Sequence, residues 1–473
     1  MTTATNTTGD TVAIGPALSA LADRLHGRIV LPDDPTYDQD RALWNAVVER
    51  RPAAIVRCAG TEDVQAAVRF ASEHEVRLAV RGGGHNVAGT AGVDRGVVLD
   101  LSELDHVEVD PTARLARVGG GATWGQVDAA TQVHGLAAPG GVVSKTGVGG
   151  LTLGGGIGWL RRGHGLSCDN LVAATLVAAD GAVHHVDETT DPELLWGLRG
   201  GGGNFGVVTE FTFALHPVGP DVAVALTLYH GDDTAAVLGA WRSATTDLAD
   251  EVSSFAICGT VPDVADFPSE LRGEPMTLIM AVATDATDRD HRSVRPFREL
   301  ATPILDLSGT MPYVDVQQVF DGDYPDGGRY YWASLHLPTL DDHRIGLVEE
   351  WTRRRPSELA TVDVWHLGGA MGRVAQDATA FGDRSAPYLL GIEANWLDAA
   401  QDEDNIAWAR NARQAFHAVS TGRPYLNFPG FQEDGEVALR AAHGDASYRR
   451  LAALKRRMDP DNLFRLHQNV PPS

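Results

Sequence analysis

The stretch VRGGGHN at residues 80–86 sets the most specific constraint on this fold. It continues the strand-like run RLAVR at 77–81 and then passes through three glycines to His85. Consecutive glycine N–H groups at a strand end can form a nest around a pyrophosphate. The spacing is not the G-x-G-x-x-G of a Rossmann turn and no long helix is predicted to follow, which disfavours NAD. His85 stands where a bound dinucleotide's ring could be reached, although a solvated loop histidine beside a tight turn also fits.

A second glycine-rich stretch, GGVVSKTGVGGLTLGGGIG, covers residues 140–158. Glycine costs folding entropy, roughly 0.5–1 kcal/mol per residue relative to alanine. A purely structural loop would rarely concentrate that cost. We therefore expect a backbone laid flat against an aromatic cofactor.

The residues around these stretches predict a mixture of strands and helices up to about residue 217, an α+β architecture. The N-terminal part contains a buried strand at 53–58 and a helix with Thr61 as its N-cap. Further strands are predicted at 77–81, 96–101, 171–178 and 207–214, with a hairpin formed by 107–109 and 115–118. Longer alternating strands at 222–228, 330–337 and 388–396 then alternate with amphipathic helices, which indicates a second domain with an antiparallel sheet. The chain ends in a helix that Asp459-Pro460 should stop.

Composition excludes several classes of function. The 473 residues carry a formal net charge of −24, so nucleic-acid binding is disfavoured. The three cysteines, Cys58, Cys168 and Cys258, are far apart and suit neither a disulfide framework nor a zinc site. No run approaches 18 apolar residues and the N-terminus lacks the pattern of a signal peptide, so we expect no membrane partner and a cytoplasmic enzyme.

The two glycine clusters are joined by two more motifs, LRGGGGNFGVVT at 198–209 and DPDNLF at 459–464. Together, and in this order, they resemble the berberine-bridge-enzyme-like branch of the vanillyl-alcohol-oxidase (PCMH-type) flavoproteins. The resemblance spans residue 37 to the C-terminus. The segment SKTGVGGLTLGGG at residues 144–156 is most similar to bacterial, 6-hydroxynicotine-oxidase-like members and to oxidases that tailor natural products of secondary metabolism.

The resemblance implies an α+β fold with a two-part FAD-binding domain of the PCMH type, residues 1–217 and 421–473. A substrate domain, residues 218–420, is inserted between them and is built on an antiparallel sheet covered by helices. It implies that His85 bonds to the flavin 8α-methyl. The second tether of doubly linked members needs a cysteine where this chain has Val143, so His85 is expected to be the only covalent link. Cys168 lies past the glycine run and is expected to be a buried small hydrophobe.

The resemblance also implies the residues that contact FAD. Besides His85, the expected contacts are Arg81, Gly82, Gly83, Gly84, Asn86, Gly89, Gly141, Val142, Thr146, Gly147, Gly149, Gly150, Thr152, Gly156, Gly206, Val208, Tyr425 and Asn427.

Catalytic groups are expected to come from the substrate-facing side. YLNF at 425–428 resembles the family's Tyr-x-Asn-Tyr element, in which Tyr425 either takes a substrate proton or only packs on the flavin ring, with Asn427 beside it. A phenol with a reference pKa of about 10 needs a neighbouring cation or donor to act as a base. Thr146 matches the position that gates the access of oxygen to the flavin.

Five residues with aromatic or polar side chains are candidates for the substrate pocket: Tyr331, Trp332, Ser334, His366 and Asn395. Because side chains alternate along a strand, only every second residue of a strand can face a pocket. The aspartates at 321–326 are expected to form a solvated loop without a metal.

The leading hypothesis is an FAD-dependent oxidase that takes hydride from a C–H bond next to a hydroxyl or amine of a small organic metabolite. Its partners are then the substrate and O2, which becomes H2O2, and the chain is expected to be a monomer or homodimer. An oxygenating or cyclising tailoring enzyme on a polyketide- or alkaloid-like substrate is the nearest alternative. A non-catalytic flavin carrier is a third hypothesis.

Overall fold

The computed structural model describes residues 2–6, 11–285, 288 and 290–473. Its N-terminal four-stranded sheet carries the first glycine stretch. In spatial order the strands are Arg28–Val30, Ala54–Arg57, Val97–Asp100 and Leu78–Arg81. The last three are parallel, and every residue of Val97–Asp100 is buried, as expected for a strand covered on both faces. The strand Leu78–Arg81 ends directly at Gly82, so the glycine turn begins at the carboxyl edge of this sheet.

A five-stranded antiparallel sheet lies next in the chain. Its strands, in spatial order, are Val183–Asp187, Leu171–Val177, Val207–Ala214, Leu115–Gly119 and Val107–Asp110. The predicted hairpin is present, because Val107–Asp110 pairs antiparallel with Leu115–Gly119. One buried cluster joins this sheet to the helix Asp445–Met458 near the C-terminus.

The middle of the chain forms an eight-stranded antiparallel sheet, which confirms the expected architecture. Seven strands follow in the spatial order Pro303–Asp306, Asp221–His230, Pro275–Ala283, Val252–Thr260, Thr361–His366, Tyr388–Trp396 and Arg329–Leu337, and Gly309–Pro312 also pairs with Asp221–His230. One face packs against three helices, Thr234–Ala244, Asp342–Arg353 and Asp402–His417. The opposite face packs against the second glycine stretch and Tyr425. Successive residues of each strand therefore alternate between the face that packs against the helices and the face that packs against the second glycine stretch.

The remaining elements connect these sheets. The other helices are Gly15–Ala22, Tyr37–Arg41, Thr61–Glu73, Trp124–Gln132, Val148–Leu153, Arg161–His164, Pro192–Leu198, Tyr313–Val316, Ala370–Arg373 and Gly435–His443. Two small antiparallel pairs are formed by Thr3–Thr5 with Thr11–Ala13 and by Leu136–Ala137 with His216–Pro217. Short 3-10 turns occupy Ser167–Asn170, Gly231–Asp233, Arg295–Arg298, Asp321–Asp323 and Ala399–Gln401. Within the described ranges, every helix is too short or too polar to span a bilayer.

One local prediction is wrong. Thr61 is the first residue of its helix, and the N-cap is Gly60 in an extended conformation. The N-terminal N–H groups need a partner other than the Thr61 side chain, whose hydroxyl bonds to Thr209 instead. The final helix ends at Met458 with Asp459 as its C-cap, as the Asp-Pro pair predicts.

The C-terminal segment is fixed by a buried ion pair. Lys455 and Asp459 have fully buried side chains, with Nζ 2.5 Å from Oδ2. The same ammonium group donates to the carbonyls of Asn204 and Phe464, at 2.9 and 2.7 Å. Residues 455–464 are therefore held against the glycine-rich loop before Val207–Ala214.

Candidate functional site

A cavity of about 280 Å³ lies between the glycine-rich stretches and the eight-stranded sheet. The first glycine stretch, the second glycine stretch, the loop at 202–208 and the C-terminal residues 464–468 all contribute to its wall. Strands of the eight-stranded sheet and the segment 425–428 close it. Elements far apart in sequence thus share one cavity.

The two glycine stretches touch each other through their backbones. A Cβ added to Gly83 would lie 2.5 Å from the backbone nitrogen of Gly147, and one added to Gly147 would meet the nitrogen of Gly83. Gly84 has a φ of +70°, which L side chains rarely adopt. Only glycine permits this close cradle, whose backbone N–H groups can receive a pyrophosphate.

His85 lies in the cavity wall beside an aromatic stack. Its ring lies 4.8 Å from the Trp44 ring at an interplanar angle of 12°, and Trp44 stacks in turn on Tyr330 at 3.9 Å. Burial lowers the pKa of His85 to about 4. The imidazole is therefore neutral at neutral pH and keeps a free lone pair.

Tyr425 lies in the cavity with its hydroxyl oxygen fixed by N–H donors. The backbone N–H groups of Gly156 and Ile157 donate to Oη at 3.2 Å, and the Asn427 amide donates at 2.9 Å. The Asn427 amide also donates to the carbonyl of Leu151 at 3.1 Å. Burial nevertheless raises the pKa of Tyr425 to about 12. The pair Tyr425 and Asn427 thus ties the 425–428 segment to the second glycine stretch.

Glu393 is the residue that sequence reasoning missed. It lies on the strand Tyr388–Trp396, lines the cavity and is 2% exposed. The Tyr324 hydroxyl donates to its Oε2 at 2.9 Å. Burial raises the pKa of Glu393 to about 7, and burial together with the neighbouring Glu393 charge raises the pKa of Asp363 well above its usual range. The alternation of side chains along the strand could have identified Glu393, because it precedes the pocket candidate Asn395 by two positions and lies on the same face of the strand.

The cavity has aromatic walls on the side of the eight-stranded sheet. Trp332, Trp365, Tyr324 and Phe428 line it, with Trp332 and Phe428 in edge contact at 5.3 Å. Trp332 is paired with Glu393 across neighbouring strands. An indole and a carboxylate therefore share one face of the sheet.

Of the five predicted pocket residues, only Trp332 lines the cavity. Tyr331 has the opposite parity, packs toward the helices and donates to Glu433 at 2.8 Å. His366 also faces away and lies beside Trp241 and Tyr388.

Ser334 and Asn395 share the cavity-facing parity but support other residues. Ser334 Oγ accepts from the Tyr425 N–H at 2.9 Å, and Asn395 Oδ1 accepts from the Trp332 indole N–H at 2.7 Å. The two side chains thus position cavity residues from behind.

Most of the expected FAD contacts line the cavity. They are Gly82, Gly83, Gly84, His85, Asn86, Gly141, Val142, Thr146, Gly147, Gly149, Gly150, Gly206, Val208, Tyr425 and Asn427. Four do not. Arg81 pairs with Asp100 at 2.9 Å, Gly89 packs against Val48, Thr152 is fully buried, and Gly156 supports Tyr425.

Val143 lines the cavity, whereas Cys168 does not. Cys168 is fully buried, and burial raises the pKa of its thiol well above the usual range. It behaves as the small buried hydrophobe expected from the sequence.

The aspartate loop at 321–326 is mostly exposed, as expected, but Asp321 also contacts the second glycine stretch. Asp321 accepts from the backbone N–H and the hydroxyl of Ser144, at 2.8 and 2.5 Å. Lys145 pairs with Asp326 at 3.2 Å. The loop therefore holds the second glycine stretch against the substrate side, and in the described ranges no group of three His, Cys, Asp or Glu could bind a metal.

The lining suits FAD. Among the described residues that form the wall, Glu393 is the only carboxylate, and it belongs to the sheet and not to the glycine stretches. The glycine cradle offers N–H groups without an opposing negative charge, as a pyrophosphate requires. Aliphatic residues including Val142, Leu151, Ile157 and Val208 line the rest, which suits a flat aromatic ring.

Comparisons with known proteins indicate an FAD-linked oxidoreductase. Residues 52–187 match the "FAD binding domain" family, and residues 424–471 match "Berberine and berberine like". An uncharacterized FAD-linked oxidoreductase, YgaK of Bacillus subtilis, is 31% identical over 95% of this chain and 98% of its own. The (R)-6-hydroxynicotine oxidase of Paenarthrobacter nicotinovorans is 28% identical over 95% of this chain and 97% of its own.

Solved structures give the same result for the fold. The crystal structure of 6-hydroxy-D-nicotine oxidase from Arthrobacter nicotinovorans superposes with a TM-score of 0.85 and 28% identity, covering 95% of this chain and 98% of its own. The structure of Physcomitrella patens BBE-like 1 superposes with a TM-score of 0.85 and 23% identity, covering 96% of this chain and 99% of its own.

Proposed function

This chain belongs to the berberine-bridge-enzyme-like family of FAD-linked oxidoreductases, and we propose that it is an oxidase of a small organic metabolite. When bound, FAD would accept at N5 a hydride from a C–H bond next to a hydroxyl or amine and pass the electrons to O2, giving H2O2. The observation that carries the proposal is Glu393, a buried carboxylate that faces the same cavity as His85. Its raised pKa suits it to take a proton near neutral pH.

The glycine cradle and His85 would hold the cofactor. Gly82–Gly84 and Asn86 would contact the pyrophosphate, and His85 would carry the single covalent link to the 8α-methyl. The neutral imidazole and the absence of a cysteine at Val143 support a single tether. Thr146 lines the cavity and would lie on the path of O2.

Glu393 is a better proton acceptor than Tyr425. A phenol whose pKa is about 12 stays protonated at neutral pH, and no cation lies against Tyr425 within the described contacts that could lower it. Glu393, with its pKa raised to about 7, exists in both forms there. We therefore assign proton removal from the substrate hydroxyl or amine to Glu393, and we assign Tyr425 and Asn427 to positioning the cavity wall.

The aromatic walls indicate the shape of the substrate. Trp332, Trp365 and Phe428 offer ring faces and edges, which favour a flat, unsaturated or fused-ring compound. A metabolite that carries one hydroxyl or amine could place that group against Glu393 while its rings contact the indoles. Sugars, which lack a flat apolar face of this size, would gain less from this wall.

The test is a spectral screen followed by product analysis. Holoenzyme is mixed anaerobically with aromatic alcohols, amines and polyketides, and bleaching of the oxidised flavin band reports hydride transfer. Air is then admitted, and H2O2 is measured against substrate consumed. One H2O2 per product without incorporation of ¹⁸O from labelled O2 supports the oxidase. Labelled oxygen in the product would instead identify the oxygenating alternative, and a flavin that no substrate bleaches would favour a carrier.

A further inference from the structure

We propose that Trp44 is a positioning residue for covalent attachment of the flavin, because its indole holds the imidazole of His85 in the orientation that bond formation needs. The inference rests on the proposed tether through His85. It concerns a residue outside every motif that points to the cofactor, in the loop between Tyr37–Arg41 and Ala54–Arg57.

Stacking is the main restraint on the His85 ring. The two rings are nearly parallel, 12° apart at 4.8 Å, and Trp44 is only 4% exposed. Histidines that act as ligands or nucleophiles usually have one ring nitrogen fixed by a carbonyl or carboxylate. Here neither ring nitrogen has a hydrogen-bond partner among the residues the structure describes. Stacking on the indole therefore fixes the orientation of the His85 ring, as a hydrogen bond to a ring nitrogen does in other proteins.

Trp44 is itself held firmly from three sides. Its indole N–H donates to the carbonyl of Tyr324 at 3.0 Å, and its ring stacks on Tyr330 at 3.9 Å and 4°. Its own carbonyl accepts from the N–H of Gly327 at 3.0 Å. A ring fixed in this way can transmit a defined orientation to His85.

The next residue, Asn45, fixes the backbone that follows His85. Its amide group donates to the carbonyl of Val87 at 2.6 Å and to that of Tyr330 at 2.8 Å, while Oδ1 accepts from the Tyr330 N–H at 3.0 Å. Asn45 is completely buried. Residues 44–45 therefore join the His85 loop to the strand that carries Trp332, so the tether and the substrate wall share one support.

Orientation matters because the bond is made at a single carbon. In the proposed bond the imidazole nitrogen would replace one hydrogen of the 8α-methyl, so the methyl and the imidazole would each lose a proton and two electrons would leave with them. O2 would be the oxidant that takes up these two electrons and the two protons, giving H2O2. The nitrogen would have to point at the methyl carbon when the C–N bond forms, and small misplacements slow such steps steeply.

The inference is tested by the rate of tethering in full-length variants. Chains produced in a riboflavin-starved host are mixed with FAD in air, and samples are acid-precipitated at intervals to measure the flavin that stays with the protein. Trp44→Phe keeps a ring, whereas Trp44→Leu and Trp44→Met fill the space without one. An aromatic pair of this kind corresponds to about a twofold to tenfold change in rate. We expect that slowing in both non-aromatic variants and a rate within about twofold of wild type in Trp44→Phe.

The control is Trp408→Leu, since Trp408 is equally buried and donates its indole N–H to the Trp351 carbonyl at 3.1 Å, remote from His85. It should lower the melting temperature without changing the tethering rate. The inference is overturned if the non-aromatic variants tether as fast as wild type, or if Trp44→Phe slows as much as they do. Complete release of flavin from wild type by acid would overturn both the tether and this inference. Substrate-dependent H2O2 production, measured on the same wild-type sample after tethering is complete, tests the oxidase proposal separately.

Discussion

Replacing Glu393 with glutamine should remove the group that accepts the substrate's proton while keeping its size. Glu393 is 2% exposed and is held by the Tyr324 hydroxyl at 2.9 Å, an interaction that a glutamine amide oxygen can also accept. We expect folded protein that binds FAD normally. Flavin reduction by substrate should slow by about 10²–10⁴-fold, the usual contribution of a positioned general base.

The pH dependence of wild type follows from the pKa of Glu393, which burial raises to about 7. A base acts only when deprotonated, so the rate should rise with pH and level off above pH 8. The deprotonated fraction of Glu393 therefore increases through the neutral range, and the rate of flavin reduction should be clearly higher at pH 8 than at pH 6. In Glu393→Gln this dependence should disappear.

The assay is anaerobic stopped-flow absorbance of the oxidised flavin band from pH 5.5 to 9, with a substrate found in the spectral screen. Glu433→Gln is the matched control, because Glu433 is a carboxylate bonded to Tyr331 on the far side of the same sheet. It should leave both the rate and the pH profile unchanged. A Glu393→Gln variant that reduces its flavin as fast as wild type, or whose rate still rises from pH 6 to pH 8 as in wild type, would refute the assignment.

Two further predictions concern the cofactor. His85→Ala should release all its flavin on acid precipitation, whereas wild type and Cys168→Ala should retain theirs in the pellet; loss of the tether in Cys168→Ala would contradict a single link through His85. Gly83→Ala should lower FAD occupancy and the melting temperature, because the new Cβ would lie 2.5 Å from the backbone nitrogen of Gly147. Gly309→Ala, where a Cβ meets nothing within 4 Å, serves as the control for thermal melting and flavin absorbance. Equal flavin content in the two glycine variants would disprove the argument from the cradle.

Local patterns were sufficient for most of the secondary structure. Tyr388–Trp396 begins and ends where the alternation predicts, and the final helix stops at the Asp-Pro pair. The cradle was also visible in the sequence, since glycine is required wherever two backbones approach as Gly83 and Gly147 do. The strand, the helix end and each glycine stretch are encoded by residues close together in the chain, whereas the contact between the two glycine stretches is tertiary.

The substrate side was predicted poorly because two choices there depend on distant residues. Alternation says that Tyr331 and Trp332 face opposite ways, but only the packing of three helices against one face decides that Trp332 meets the cavity. Strand pairing then brings Glu393 beside Trp332. The alternation of each strand therefore groups Trp332 with Ser334 and Glu393 with Asn395, but it does not say which group faces the cavity.

The sequence by itself determined the α+β elements, the glycine stretches that suit a dinucleotide, and His85 at the end of the first of them. The tertiary structure alone decided that Glu393 shares the cavity with His85, and that Trp44 stacks on the imidazole. The reason is physical. Backbone preferences are set by neighbouring residues, whereas burial, which lowers the pKa of His85 and raises that of Glu393, is set by whichever distant segments fold over them.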